Sequence, residues 1–359
     1  ADACRERNTV IRERMDKGAK QYHIEGLRGL AIILIILFHM NAEWVPMGYL
    51  GVDIFLVICG YLLFLRPVQR GEEGRLATSW HFIQRKTGRI MWPLTVATAI
   101  TLLVSFFVLV PGDLLATAKT ARCALAAVSN IYLGNLKNGG YFATDASFNL
   151  MVPSWYVSLT CQVYLFFLLG WLIVPRKWVK VAVSVCIVLS IAYANFGVVE
   201  ECWQALVGTD QHILSNPPSY YSFGTRIWEV LAGGVICLLP GIRSKVGANI
   251  VGVASLAVMS FLFCYPVPEE ERNIVIPLMV AASVLGIRYA GQGVANSILT
   301  NPVFLWFGKI SFSLYLVHML VIGCMSCFIS FHSGLALAMG FACVTLAGVL
   351  FYYLVEKKH

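Results

Sequence analysis

Two ionisable side chains bracket an otherwise apolar stretch near the start of the chain. In HIEGLRGLAIILIILFHM, Arg28 and His39 are separated by ten residues, all Gly, Leu, Ala, Ile or Phe. Eleven helical steps turn about 1100°, within about 20° of three full turns, and rise about 16 Å. The pair is therefore expected on one helix face, with Arg28 at a membrane edge and His39 near mid-bilayer. Ionisable groups are costly in hydrocarbon and mark functional sites. Imidazole titrates near neutrality, so His39 has the chemistry of a general base, of a proton relay or of a hydrogen-bonded structural residue. A second cluster, FIQRKTGRIMWP, carries Arg85, Lys86 and Arg89. Arg85 and Arg89 are i and i+4, a two-pronged cation suited to phosphates or to membrane anchoring. With Arg28 they outline a basic mouth beneath His39, and the rise of about 16 Å from mouth to imidazole is comparable to the reach of a pantetheine arm. A third set joins Asp53 of GVDIFLVICGY to Arg226 and Glu229 of SFGTRIWEVLAGG; the last two, at i and i+3, suit an internal ion pair or an acceptor contact equally. His318 lies nine residues past Lys309 in GKISFSLYLVHML, a depth like that of His39. Two His at one level suggest a polar path through the bundle.

The elements that must position these groups are membrane helices. Hydrophobic residues make up 58% of the 359, charged residues 13%, and the mean hydropathy is +0.73, far from the balance of a soluble domain. Runs of about 20 apolar residues recur without the alternation of barrel strands, so the fold class is an all-α polytopic membrane protein. Ten spans are expected, at 28–46, 49–65, 90–110, 153–174, 179–197, 223–239, 247–265, 274–290, 309–330 and 334–354. The apolar segment 112–134 also holds Asp113, Lys119, Arg122 and Asn130. Treating it as a re-entrant or interfacial helix, with both termini cytosolic, places 22 of the 27 Lys and Arg residues on the inner side, as the positive-inside rule requires. The acidic pairs and triplets at 200–201 and 269–271 then face outward. The net charge of +8 is thus a matter of orientation, and no basic-aromatic stripe suggests nucleic acid. Most of the eleven Cys lie inside apolar runs, including the CxxC of Cys324 and Cys327, where they act as small hydrophobes and not as disulfide or metal ligands. Residues 1–27 form a charged cytosolic lead-in unlike a cleavable signal peptide, the missing initiator Met is what a trimmed chain shows, and 28–359 form one membrane-embedded domain.

In order and spacing, these motifs resemble the acyltransferase 3 superfamily of integral-membrane O-acyltransferases. The resemblance runs from EGLRGLAIILIILFH through GYLGVDIFLVICGYLL, with Cys59 at a family Ser, and QRKTGRIMWPL. It continues through NIYLGN, GGYFATD, SWYVSLTCQVYLF, TRIWEVLAGGV and GKISFSLYLVHML to YYLVEK. It implies His39 as the catalytic His, Arg28 as its motif partner, and Arg85 and Arg89 as the cytosolic pair associated with acyl-CoA. Trp155, Gln162 and Tyr164 match the signature W-S-L-S-V-E-E-Q-F-Y, but its two acidic positions read Thr160 and Cys161. Glu43, four residues after His39 and expected on the same helix face, and Asp53 are the candidates to replace those carboxylates. The extracytoplasmic SGNH domain frequent in the family is not encoded in these residues.

The function so implied is transfer of an acyl group, acetyl above all, from cytosolic acyl-CoA to a hydroxyl of a cell-surface or lipid-linked glycan. His39 would serve as base or acyl carrier, no cofactor would be tightly bound, and the location would be the cytoplasmic membrane. Outer-loop aromatics Tyr141, Trp203, Tyr220 and Tyr221 suit either sugar stacking or interfacial anchoring. The rival is a transporter whose permeation path is lined by Arg28, His39, Asp53 and His318, without acyl chemistry. A non-catalytic sensor with the enzyme fold is a third possibility.

Overall fold

The structure is a computed structural model that describes residues 21–65, 75–136, 148–196, 219–242, 244–266 and 272–357. The lead-in 1–20, the acidic runs at 200–201 and 269–271, and Tyr141 and Trp203 lie outside the described residues. Among the described residues all regular structure is helical. In chain order the helices are α1 (Tyr22–Met40), α2 (Gly51–Leu65), α3 (Arg75–Val108), α4 (Pro111–Leu125), α5 (Ser129–Gly134), α6 (Ser154–Ile173), α7 (Val179–Ala194), α8 (Phe223–Val235), α9 (Lys245–Cys264), α10 (Arg272–Tyr289), α11 (Gly293–Leu299), α12 (Pro302–Lys309), α13 (Ser311–Ser326) and α14 (Gly334–Phe351).

Six helical stretches are long and apolar enough to cross a bilayer: α1, 48–65, 80–108, α6, α9 and 334–356. Two bent pairs, α10 with α11 at 104° and α12 with α13 at 76°, raise the number to eight if each is one span. This is a multi-pass membrane protein. All ten apolar runs are helical, but two are shorter than expected: α7 has 16 residues and α8 has 13, below the roughly 20 that cross unaided. The expected single span 309–330 is also broken, because the chain turns at Ile310 and leaves Lys309 at the end of α12. Segment 111–134 folds as α4 and α5, joined through Ala127 in a left-handed conformation (φ 56°). Gln162 of α6 holds that joint, its Nε2 donating to the Ala127 carbonyl at 2.9 Å and to Asn130 Oδ1 at 2.8 Å.

Helix packing inside lipid depends on small residues and close backbone approach. Between α2 and α8 two glycines supply it. A Cβ on Gly60 would collide with the Val230 carbonyl, and one on Gly233 with the Val57 carbonyl. The same register, with both helices running in one direction, places Asp53 beside Arg226 two turns earlier. At the centre, α1 packs against α2, α12 and α13, and its Ala31, Ile32, Ile35 and Ile36 are wholly buried.

Candidate active site

The first helix differs from its expected bounds, and the shift changes the placement of three side chains. It starts at Tyr22 and ends at Met40, so Arg28 stands in its second turn and His39 in its last. His39 is therefore not central in its helix. Asn41 stops the helix in an extended conformation (φ −159°); its Nδ2 donates to the Phe331 carbonyl at 3.1 Å and its Oδ1 accepts from the Glu43 amide at 2.8 Å. Such a local side-chain to backbone bond competes with helix continuation. Glu43 consequently leaves the helix face it was expected to share with His39. Its exposed carboxylate lies 3.9 Å from His332 Nδ1.

His39 Nδ1 is 2.8 Å from the Ile35 carbonyl. A carbonyl only accepts, so Nδ1 carries the hydrogen and Nε2 of the neutral ring holds the lone pair. The ring of His318 packs edge-on against it, with centroids 5.0 Å apart. His318 repeats the same arrangement, with Nδ1 donating to the Tyr315 carbonyl at 2.7 Å. Its own side chain is fully buried. Next to it, Tyr315 donates its hydroxyl to the Pro153 carbonyl at 2.9 Å and packs on Tyr156. The expected equality of depth is thus direct contact between the two His.

A cleft of about 230 Å³ runs from Arg28 to Tyr315, lined also by Phe55, Cys59, Lys86, Tyr156, Thr160, Tyr164 and Ser311. Arg28 is half-buried and donates from Nη2 to Ser311 Oγ at 2.8 Å. The second cation here is Lys86, whose Nζ lies 5.7 Å from the Tyr164 ring. Arg85 and Arg89 are exposed on another face of α3, and Arg85 Nε donates back to the His81 carbonyl at 3.2 Å. The reason is periodicity. Leu94, Ala97, Thr98, Thr101 and Ser105 form the buried stripe of α3, and continuing it backward by helical steps reaches Ile90 and Lys86. That periodicity is legible in the sequence, whereas the i, i+4 spacing of Arg85 and Arg89 marks its exposed neighbours. Arg89 does lie within electrostatic range of Glu356, which also senses Arg28 and accepts a hydrogen bond from Ser313.

Thr160 lines the cleft and donates to the Tyr156 carbonyl at 2.8 Å, while Cys161 is buried beside it. A second cavity of about 520 Å³ opens at the other end of α1, lined by Met40, Asn41, Phe331, His332 and residues 326–330. His39 lines neither opening itself: its chain neighbour Met40 lines this cavity, and its ring contact His318 packs on Tyr315, which lines the cleft.

The third predicted set is assembled and fully packed. Arg226 Nη1 donates to Asp53 Oδ1 at 2.9 Å and to Glu229 Oε1 at 2.7 Å, and Nε donates to the Tyr220 carbonyl at 3.1 Å. The guanidinium lies over the Tyr220 ring at 3.6 Å, and Trp155 packs edge-on against Tyr220 and Tyr221. One cation thus bridges two carboxylates in a region from which water is excluded. Breaking such a cluster leaves an uncompensated buried charge, so its geometry ties α2 to α8. Among the described residues, no three His, Cys, Asp or Glu side chains converge as metal ligands.

Comparison with known proteins identifies the family. A family profile described as an acyltransferase domain matches residues 21–356. The chain is 28% identical over 348 residues to BcsY of Komagataeibacter xylinus, provisionally named a membrane-bound transacylase, covering 93% of this chain and 81% of that protein. It is 27% identical over 314 residues to the peptidoglycan O-acetyltransferase OatA of Listeria monocytogenes, and 25% identical over 319 residues to a provisionally named O-acetyltransferase of Staphylococcus aureus strain COL. These alignments cover 82% and 83% of this chain but only about half the length of each relative (48% and 50%). No solved structure matches. With the motif order, the helical bundle and the profile match across nearly its full length in agreement, the chain belongs to the acyltransferase 3 family.

Proposed function

We propose that this protein moves an acetyl group from cytosolic acetyl-CoA to a hydroxyl of a cell-envelope glycan presented at the opposite face of the cytoplasmic membrane. The observation that carries this reading is the position of His39 between two openings, with Nε2 not engaged by the backbone. Arg28 and Lys86 hold the phosphates at the cleft mouth, the pantetheine arm runs past Tyr156 and Tyr315, and the acceptor approaches through the cavity beside Met40. His39 Nε2 takes the hydroxyl proton as the acceptor oxygen attacks the thioester carbonyl. The new C–O bond forms, the C–S bond breaks, and the leaving thiolate recovers the proton from the imidazolium. The names of the relatives support the acetyl group, and that of OatA supports a glycan acceptor.

Helix directions support the topology. The shared register of α2 and α8 is parallel, as are the Arg28–Ser311 and His39–His318 contacts between α1 and α13. Both relations follow if the ten apolar runs each cross once and 111–134 does not. A crossing at α4 would reverse α8 relative to α2.

The test is transfer of labelled acetyl from acetyl-CoA by the purified protein. His39→Ala is expected to slow transfer by about 10²-fold or more, the usual weight of a general base, while coenzyme A still raises thermal stability. A His39→Ala protein as fast as wild type removes the mechanism, and no stabilisation by millimolar coenzyme A favours a polar permeation path instead.

A further inference from the structure

Every contact made by His39 is explained by its role above, but those of His318 are not. His318 is fully buried, and its Nε2 has no hydrogen-bond partner. Buried polar atoms are normally paired, and an exception calls for an explanation. A His kept only for packing would be replaced at less cost by an apolar side chain of similar volume. The free atom cannot be a donor, because Nδ1 holds the hydrogen in its bond to the Tyr315 carbonyl. It is a lone pair in a water-excluded site, on a ring whose centroid lies 5.0 Å from that of His39.

The helices around it supply few other proton acceptors. From α1 comes His39, and from its own helix Tyr315, backed by Tyr156 of α6. The only titratable side chain of α14 is the exposed Cys343, and the last charged residue of α3 is Arg89, a full turn before the buried stripe begins at Leu94. The ring packed against His39 that carries an unengaged lone pair is therefore that of His318.

We infer that His318 is the second proton-handling group of this site: its Nε2 shares the proton that His39 takes from the acceptor hydroxyl. The step balances. The O–H proton passes to His39 Nε2, the imidazolium donates toward His318 Nε2, and the same proton returns through His39 to the thiolate when the C–S bond breaks. Both rings are neutral before and after each turnover. Spreading the charge over two imidazoles stabilises the cation without a carboxylate partner, which suits a chain with Thr160 and Cys161 at the acidic signature positions. The inference rests on the acyl-transfer reading proposed above.

His318→Asn tests it, because the Asn amide keeps a donor for the Tyr315 carbonyl and removes Nε2 alone. Acetyl transfer from acetyl-CoA is followed against pH, with stabilisation by coenzyme A measured on the same samples. The variant is expected to lose about 10²-fold at neutral pH, to regain rate about tenfold per pH unit as hydroxide replaces the missing acceptor, and to keep its coenzyme A stabilisation. If the Asn protein is not recovered folded, His318→Ala, which likewise removes Nε2, carries the same expectation. A variant with wild-type rate and wild-type profile overturns the inference alone, as does one whose loss is the same at every pH. A wild-type protein that transfers no acetyl group removes the underlying reading, and this inference with it.

Discussion

At the residue scale, the difference between Lys86 and its two arginine neighbours decides what the basic cluster can hold. One step along a helix turns a side chain by about 100°, enough to move it from the packed face to the exposed one. Lys86 lines the cleft with Arg28, whereas Arg85 is occupied on the outer face. Lys86→Ala should therefore weaken coenzyme A binding by about tenfold, the value of one charge-assisted contact of roughly 1.5 kcal/mol, and Arg85→Ala by much less. Calorimetric titration of the two variants checks this, and an Arg85→Ala protein weaker than Lys86→Ala would return the phosphate role to the arginine pair. The type and spacing of Arg28, His39 and His318 were legible in the sequence. The contact between the two His was not, because 278 residues separate them and no local pattern encodes their pairing.

At the element scale, the site depends on the α2–α8 crossing. Gly60 and Gly233 let the two backbones touch, and the Asp53–Arg226–Glu229 cluster then closes in the same register. Gly60→Ala places a methyl group against the Val230 carbonyl and should cost about 1–3 kcal/mol, as overpacking generally does. Gly170 offers the control: it is also helical, on α6, and a Cβ there meets nothing within 4 Å. Gly170→Ala should be neutral or stabilise by up to about 1 kcal/mol through helix propensity. Melting temperatures in detergent would rank the two, and equal melting temperatures would count against a tight crossing. The sequence announced both helices through their apolar runs. It misjudged where others begin and stop, because the Asn41 side chain ends α1 and the turn at Ile310 divides α12 from α13.

At the scale of the whole molecule, the proposed reaction requires the two openings on either side of His39 to face opposite sides of one membrane. The proposed orientation is checked by epitope tags inserted in the turn at Glu43 and in the 240–242 loop. Antibody should reach the first on intact spheroplasts and the second only after permeabilisation; labelling of the second on intact cells would invert the topology. Composition and the unbroken apolar runs determined that the chain is a helical membrane protein, since only helices and closed barrels satisfy a polar backbone in lipid and the runs lack a barrel's alternation, and the ordered motifs pointed to its family. The tertiary structure decided what those motifs assemble into. It placed Lys86 in the cleft, moved Glu43 out of reach, turned Arg226 into a bridge between two carboxylates and set the two imidazoles against each other. The physical reason is that periodicity specifies which face of a helix is buried, whereas the neighbour that covers it is chosen by packing between segments far apart in the chain.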